Sequence, residues 1–268
     1  MSVHIYYASN YERCIVGYVS GVTILHGVVY IVCRMSSTIL RFNATTHQRQ
    51  TDIIVRDMKS PLDIAACEQT SQLYVPDWEG CVWRVSAGDA DIKRWLPRSA
   101  SASDTFYVRS LSVTSTRLLV TSLSTCQLTQ FDAEGDELRR VQLPDYMEPH
   151  HAVESPSGMF VVGHNNARLN KHQISEVNAD GTVIRHFSGS SLDWTEHVAV
   201  DSHGNIFVAD FHNQHILLLD AQLKLRRIVV DEHQLNYEQP YRLCYREQSG
   251  QLLVGYDGGV AMFDVLRC

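Results

Sequence analysis

The clearest alternation of apolar runs and polar breaks in this chain lies between Thr195 and Val230. VAVDS, IFVADF, HILLLD and LRRIVV are separated there by HGN, HNQ and AQLK. Short runs of β-branched, aliphatic and aromatic residues bounded by Gly, Asn and Asp predict strands joined by tight turns. The order recurs along the whole chain. IFVAD at Ile206 has counterparts in VYIVC at Val29, LYVPD at Leu73, LLVTS at Leu118, MFVVG at Met159 and LLVGY at Leu252, with steps of 41 to 47 residues. A second apolar series at Phe42, Val85, Phe131, Val177, Leu219 and Phe263 keeps the same period. A four-stranded meander repeated at that spacing is the mark of a propeller blade. The predicted fold is all-β, one domain over residues 1–268, a six-bladed β-propeller of four-stranded antiparallel blades.

The two ends bear on closure. The sixth unit stops after a third strand, VAMFDVLRC, and an unassigned apolar run, RCIVGY at residues 13–18, precedes the first unit. Pairing that run with residues 260–265 would complete the last blade and remove an open sheet edge.

Composition adds exclusions. The 268 residues are 44% hydrophobic and 20% charged, as in packed domains rather than disordered ones. No apolar run approaches the roughly 18 residues a membrane helix needs, and the N-terminal residues lack the pattern of a secretory signal. Seven dispersed cysteines without zinc spacing predict reduced thiols and a cytoplasmic protein. The balance of 23 Lys+Arg against 30 Asp+Glu, net −7, opposes attraction to phosphate and disfavours RNA as a partner. No nucleophile elbow, phosphate loop or HExxH motif is present. No cofactor is expected.

The fifth unit, EHVAVDSHGNIFVADFHNQHILLLDAQLKL, resembles an NHL repeat. PHHAVESPSGMFVVGHNNARLNKHQISEVNADG and PLDIAACEQTSQLYVPDWEGCVWRVS resemble it less fully, and the other three units match mainly by period. The resemblance implies a propeller like that of tripartite-motif proteins, where it serves as a substrate- or RNA-binding part. It also brings an enzymatic alternative, because peptidyl-amidoglycolate lyases are similar propellers with a central metal held by histidines. By that likeness His150 and His197 would be metal ligands, with Arg109, Arg242 and Tyr241 or Tyr256 beside them.

Within a meander, the residues that open the innermost strand and close the second share one mouth of the propeller. Aligning the units places Gly21, Asp63, Ser110, His150, His197 and Arg242 in the opening slot, and Ser20, Leu62, Arg109, Pro149, Glu196 and Tyr241 one residue earlier. The closing slot holds Asp77, Ser122, His164, Asp210 and, within a residue, Tyr256 and Asp257. Trp78 follows Asp77, and Phe211 and His212 follow Asp210, whereas His203 falls in a hairpin at the opposite face. Aromatic anchors and fixed guanidinium forks on one face suit recognition of a peptide. The expected function is a monomeric, non-catalytic module binding a protein or peptide partner through these mouth residues, with no membrane association. RNA binding and a His150/His197 metal enzyme are the alternatives.

Overall fold

A computed structural model describes residues 3–6, 18–88, 91–96, 107–122 and 124–265. Among them there is no helix, and 24 strands form six four-stranded antiparallel sheets. The innermost strands are Val19–Leu25, Ala65–Cys67, Val108–Thr114, Met147–Glu154, Thr195–Val200 and Pro240–Arg246. Each contacts the inner strands on either side, and the first meets the last, so the sheets close into a ring. The chain is a six-bladed β-propeller.

The two apolar series set the register. Val29 lies opposite Phe42, Leu73 opposite Val85, Leu118 opposite Phe131, Ile206 opposite Leu219 and Leu252 opposite Phe263. All ten are buried. In the fourth blade Val177 pairs with Phe160, which is fully buried, and the expected anchor Met159 stands one residue outside the strand. Its carbonyl accepts the Ser155 N–H that closes the hairpin (2.8 Å). Alternation along a strand has period two, so a one-residue shift exchanges core and surface positions. Apolar side chains facing sideways from each blade meet those of its neighbour, giving six buried clusters, one at every interface between blades.

Closure differs from the sequence expectation in its residues. Val3–Tyr6 pairs antiparallel with Gly259–Val265, setting Val3 against Val265 and Tyr6 against Met262. The expected partner strand is therefore right, but residues 3–6 occupy the place assigned to residues 13–18, of which all but Tyr18 lie outside the described residues. Chain ends far apart in sequence supply one blade, so loss of the strand opens an edge. Deleting residues 1–6 is expected to lower the thermal midpoint by roughly 3–6 °C, for ~1–2 kcal/mol lost from a domain of this size. An unchanged midpoint by scanning calorimetry would refute that contribution.

The cysteine expectation also needs correction. Cys33 is disulfide-bonded, and the other four described cysteines are free. A uniform set of reduced thiols is not what the chain carries. The loop at residues 97–107 lies outside the described residues except for Tyr107. No helix of the described residues is long and apolar enough to cross a membrane.

Candidate functional site

Five inner strands carry the same irregularity near the mouth: the ladder skips a residue between Val19 and Gly21, Val108 and Ser110, Pro149 and His151, Thr195 and His197, and Pro240 and Arg242. In the second blade the isolated bridge from Pro61 to Asp77 marks the equivalent point. Aligned on these pairs, the ring reads Gly21, Asp63, Ser110, His151, His197, Arg242. The bulged ring before it reads Ser20, Leu62, Arg109, His150, Glu196, Tyr241. Sequence alignment therefore misplaces only the fourth blade, again by one residue: His151, not His150, is the counterpart of His197. Bulges re-aim side chains at strand ends.

Arg242 binds the axis together. Its Nη1 donates to Glu196 Oε1 at 3.0 Å and to the Tyr241 carbonyl at 2.7 Å, and its Nη2 donates to the Leu62 carbonyl at 2.8 Å. Its Nε lies 3.6 Å from Asp63 Oδ1. One guanidinium thus ties the second, fifth and sixth blades. Glu196 Oε2 accepts from Trp194 Nε1 at 3.0 Å and faces Arg109 Nη2 at 3.6 Å. Burial works against the Glu196 charge, but Arg242 and Arg109 outweigh it and hold the carboxyl below its usual range. Asp63 accepts backbone N–H groups from Ile64 (2.9 Å) and Leu111 (3.0 Å). Its burial is deeper, and Arg242 offsets that only in part, so its pKa is pushed up to about 6. Gly21 completes the ring with no side chain, since a Cβ there would meet the Ile64 nitrogen at 2.6 Å.

The histidines are neutral. Burial, reinforced by Arg109, pushes His150 down to about 3, and burial reinforced by Arg242 does the same to His151. His197 is held well below its ordinary value by burial, His151 and Arg242. His150 donates from Nδ1 to the Thr195 carbonyl (2.7 Å), and its ring lies against His172 and Trp194. His151 donates from Nε2 to the Leu111 carbonyl (3.2 Å) and accepts the Val198 N–H on Nδ1 (3.4 Å).

The side chains that come together are Asp63, His151 and His197, whose ligand-type atoms lie within 4.8 Å of one another. This trio replaces the anticipated His150/His197 pair. Its geometry suits stacking better than coordination. The rings of His151 and His197 stack at 3.5 Å, only 22° apart, so their in-plane lone pairs run nearly parallel instead of converging on one ion. Arg242 already places a positive charge beside Asp63. The stack closes one end of an axial channel of about 500 Å³ that opens between the inner hairpins on the opposite face.

Several other mouth candidates hold loops. Asp77 accepts N–H groups from Glu79 and Cys81 (both 3.0 Å) and from the Trp83 indole (2.8 Å). Asp210 accepts from the Trp194 N–H (3.0 Å), Asn213 (2.8 Å) and His215 (3.1 Å). His164 is fully buried against the Ser175 hydroxyl, 2.8 Å away, and burial lowers it to about 4. These three answer backbone and core demands rather than facing a partner.

The open part of the face is aromatic. Tyr18 stacks on Tyr241 (4.3 Å), Tyr241 meets Phe211 edge-on (5.0 Å), and Phe211 leads to Trp194 (6.3 Å). Across the mouth, Trp78 is 54% exposed, packed edge-on to Tyr107 with Arg34 over its ring at 4.7 Å. Asp257 is exposed and hydrogen-bonds Tyr241; burial, then that carboxylate, raises the phenol pKa. Tyr256 takes the closing slot opposite Pro240. His212 is exposed and lies 3.3 Å from Asp193. It borders a mouth pocket of about 550 Å³ between the fourth and fifth blades, lined also by Lys171, His172 and Trp194. Tyr18, Tyr107, His172 and Trp194 were not among the sequence candidates. Trp194 was within reach, because it directly precedes the innermost strand of the fifth blade.

The chain is thus a six-bladed propeller with a buried ionic hub, an aromatic mouth face and a channel open at the other face. No family model and no curated protein matches it.

Proposed function

We propose that this protein is a binding module that recognises a protein or peptide partner on its mouth face, in the manner of NHL-type propellers. The observation that carries the reading is the aromatic surface around the hub. Trp78, Tyr107, Tyr18, Tyr241, Phe211 and Trp194 lie around one mouth in stacked and edge-on contacts, beside a pocket large enough for a partner side chain. Aromatic anchors flanked by pockets dominate binding energy at protein interfaces. The hub groups face one another: Arg242 binds Glu196 and the carbonyls of Tyr241 and Leu62, and Glu196 also accepts from the Trp194 indole.

The placement of the cations weakens the RNA alternative. Of the cations an RNA site would need, Arg242 is buried and Arg109 faces Glu196, leaving Arg34 and Lys59 near Trp78. The metal-enzyme alternative would have to use Asp63, His151 and His197 and to unstack the two rings. The disulfide at Cys33 removes the argument from reduced thiols for a cytoplasmic setting.

The test is selection of a random peptide phage library on the immobilised protein, with a pooled single-stranded RNA gel shift in parallel. Selected peptides are expected to lose at least about tenfold in affinity with Trp78→Ala or Phe211→Ala, as truncated anchors do. Peptides indifferent to both substitutions, or an RNA shift that weakens steeply with salt, would overturn the reading.

A further inference from the structure

Two loops meet at the outer part of the mouth face, between the first and second blades. One, at residues 34–37, joins the second and third strands of the first blade, and the other, at residues 55–64, leads from its fourth strand into the second blade. Hydrogen bonds lace them to each other and to Trp78. The Val55 N–H donates to the Ser37 carbonyl (2.9 Å), the Met35 N–H to Ser60 Oγ (3.2 Å), and the Trp78 N–H to the carbonyls of Lys59 (3.1 Å) and Ser60 (3.2 Å). Met35 and Ser60 both hold a left-handed backbone, with φ of 62° and 51°, a conformation uncommon outside glycine. A surface fixed in this way loses little freedom when a partner arrives.

Between the loops lies a cavity of about 400 Å³, with Ser36, Ser37, Ser60, Arg56, Lys59 and Met35 in its wall and no acidic residue. Arg56 and Lys59 are exposed, and Arg34 lies over the Trp78 ring at 4.7 Å. Beside the cavity, Trp78 and Met35 are 54% and 73% exposed. Among the described residues Arg34, Arg56 and Lys59 form no ion pair, whereas Arg49, Arg117, Arg140, Arg168 and Arg185 each hold a carboxylate. Asp77 is buried and accepts the N–H groups of Lys59, Glu79 and Cys81 and the Trp83 indole. The exposed Asp57 and Glu79 lie outside the cavity wall. The wall thus carries two cations and no anion, against the sign of the whole chain at net −7.

Resting on the reading that the mouth face binds a peptide, we propose that the partner segment is acidic. An Asp or Glu carboxylate of the partner enters the cavity between Arg56 and Lys59, and a neighbouring apolar side chain lies on Trp78 and Met35. The serine hydroxyls rotate to donate to the carboxylate oxygens that the cations leave open. Arg34 presents a planar fork to a second carboxylate. The charges complement each other here, which sets the register of the segment as well as its rate of arrival. A nucleic acid fits this face less well. It brings a phosphate at every nucleotide, while Arg109 faces Glu196 and the carboxylates of Asp193 and Asp257 are exposed elsewhere around the mouth.

Peptides recovered from a random phage library on the whole chain supply the probes. Enrichment in Asp and Glu next to an aromatic or aliphatic residue is expected. Measured by fluorescence anisotropy at low salt, the Arg56→Gln/Lys59→Gln variant should bind them about tenfold more weakly, and Arg56→Lys/Lys59→Arg should keep most of the affinity. Raising salt from about 0.05 to 0.5 M should shrink the gap between the unaltered protein and the Gln variant. Arg139→Gln removes an exposed charge from the outermost strand of the third blade and should change affinity by less than about twofold. Peptides that lose affinity with Trp78→Ala or Phe211→Ala, yet carry no acidic excess or bind the Gln variant at full strength, would overturn the acidic partner and leave the binding module standing. Recovery of no peptide would overturn both. Single-stranded RNA that displaces the recovered peptides and itself weakens with Arg56→Gln/Lys59→Gln would assign the cavity to phosphate and overturn the proposal.

Discussion

Acidification from pH 7 is expected to unfold the protein cooperatively between about pH 4 and 5, with net uptake of protons. Four buried histidines set the sign. His150, His151 and His164 fall to about 3, 3 and 4 in the fold, and His197 lies well below its ordinary value. In the unfolded chain each titrates near 6.5. Their neutral forms therefore stabilise the fold fully above that value. As pH falls below it, the unfolded state takes up protons that the folded state refuses. Each such histidine costs about 1.4 kcal/mol per pH unit. Asp63 acts in the opposite direction. Its folded pKa, about 6, exceeds the unfolded value, so between those limits the folded state binds the extra proton and regains about 1.4 kcal/mol per unit as pH falls. Four losses against one gain leave a slope of about 4 kcal/mol per pH unit, which exhausts a typical stability of ~5–15 kcal/mol within two or three units. Tryptophan fluorescence and circular dichroism against pH check this. A stability to denaturant that is unchanged between pH 7 and pH 5 would show that the histidines are charged inside the native protein.

Replacing Arg242 by Met is expected to cost about 3–5 kcal/mol at pH 7, because it strands two buried carboxylates and two backbone carbonyls. The side chain is close in length, so the loss is of charge and hydrogen bonds rather than volume. Glu196→Gln alone should cost less, since the amide can still accept from Arg242. The double variant Arg242→Met/Glu196→Gln should be less unstable than the sum of the two, since each removes what the other leaves unpaired. Asp63→Asn added to Arg242→Met should recover part of the loss for the same reason. Denaturant unfolding of the set forms a thermodynamic cycle. A cost below about 1 kcal/mol for Arg242→Met would mean that water replaces the guanidinium and that the hub does not join the blades.

The sixfold period, the four-strand order and the pairing of the two apolar series could all be read along the chain. Each is a local property, in which alternation specifies one face and a turn residue specifies where the strand reverses. Even the error was local. Met159 and Phe160 are both apolar, and His150 and His151 are identical in chemistry, so nothing in the fourth unit distinguishes one register from the next. The ladder to Val177 decides the first, and the bulge after Pro149 decides the second.

The roles of the mouth residues were decided elsewhere. Asp63, Asp77 and Asp210 are alike in sequence, and each stands at a strand end. Tertiary packing makes Asp63 a hub carboxylate with a raised pKa, and makes the other two acceptors for loop N–H groups and neighbouring indole, amide or imidazole donors. Arg242 reaches the Leu62 carbonyl, 180 residues away, because ring closure brings the second and sixth blades, with only the first between them, to one narrow axis. Sequence by itself determined the blades, their number and, in all but the fourth blade, which residue stands in the axial ring. Only the closed ring decided how those residues pair, since burial and charge at the axis are sums over all six blades and belong to no single repeat.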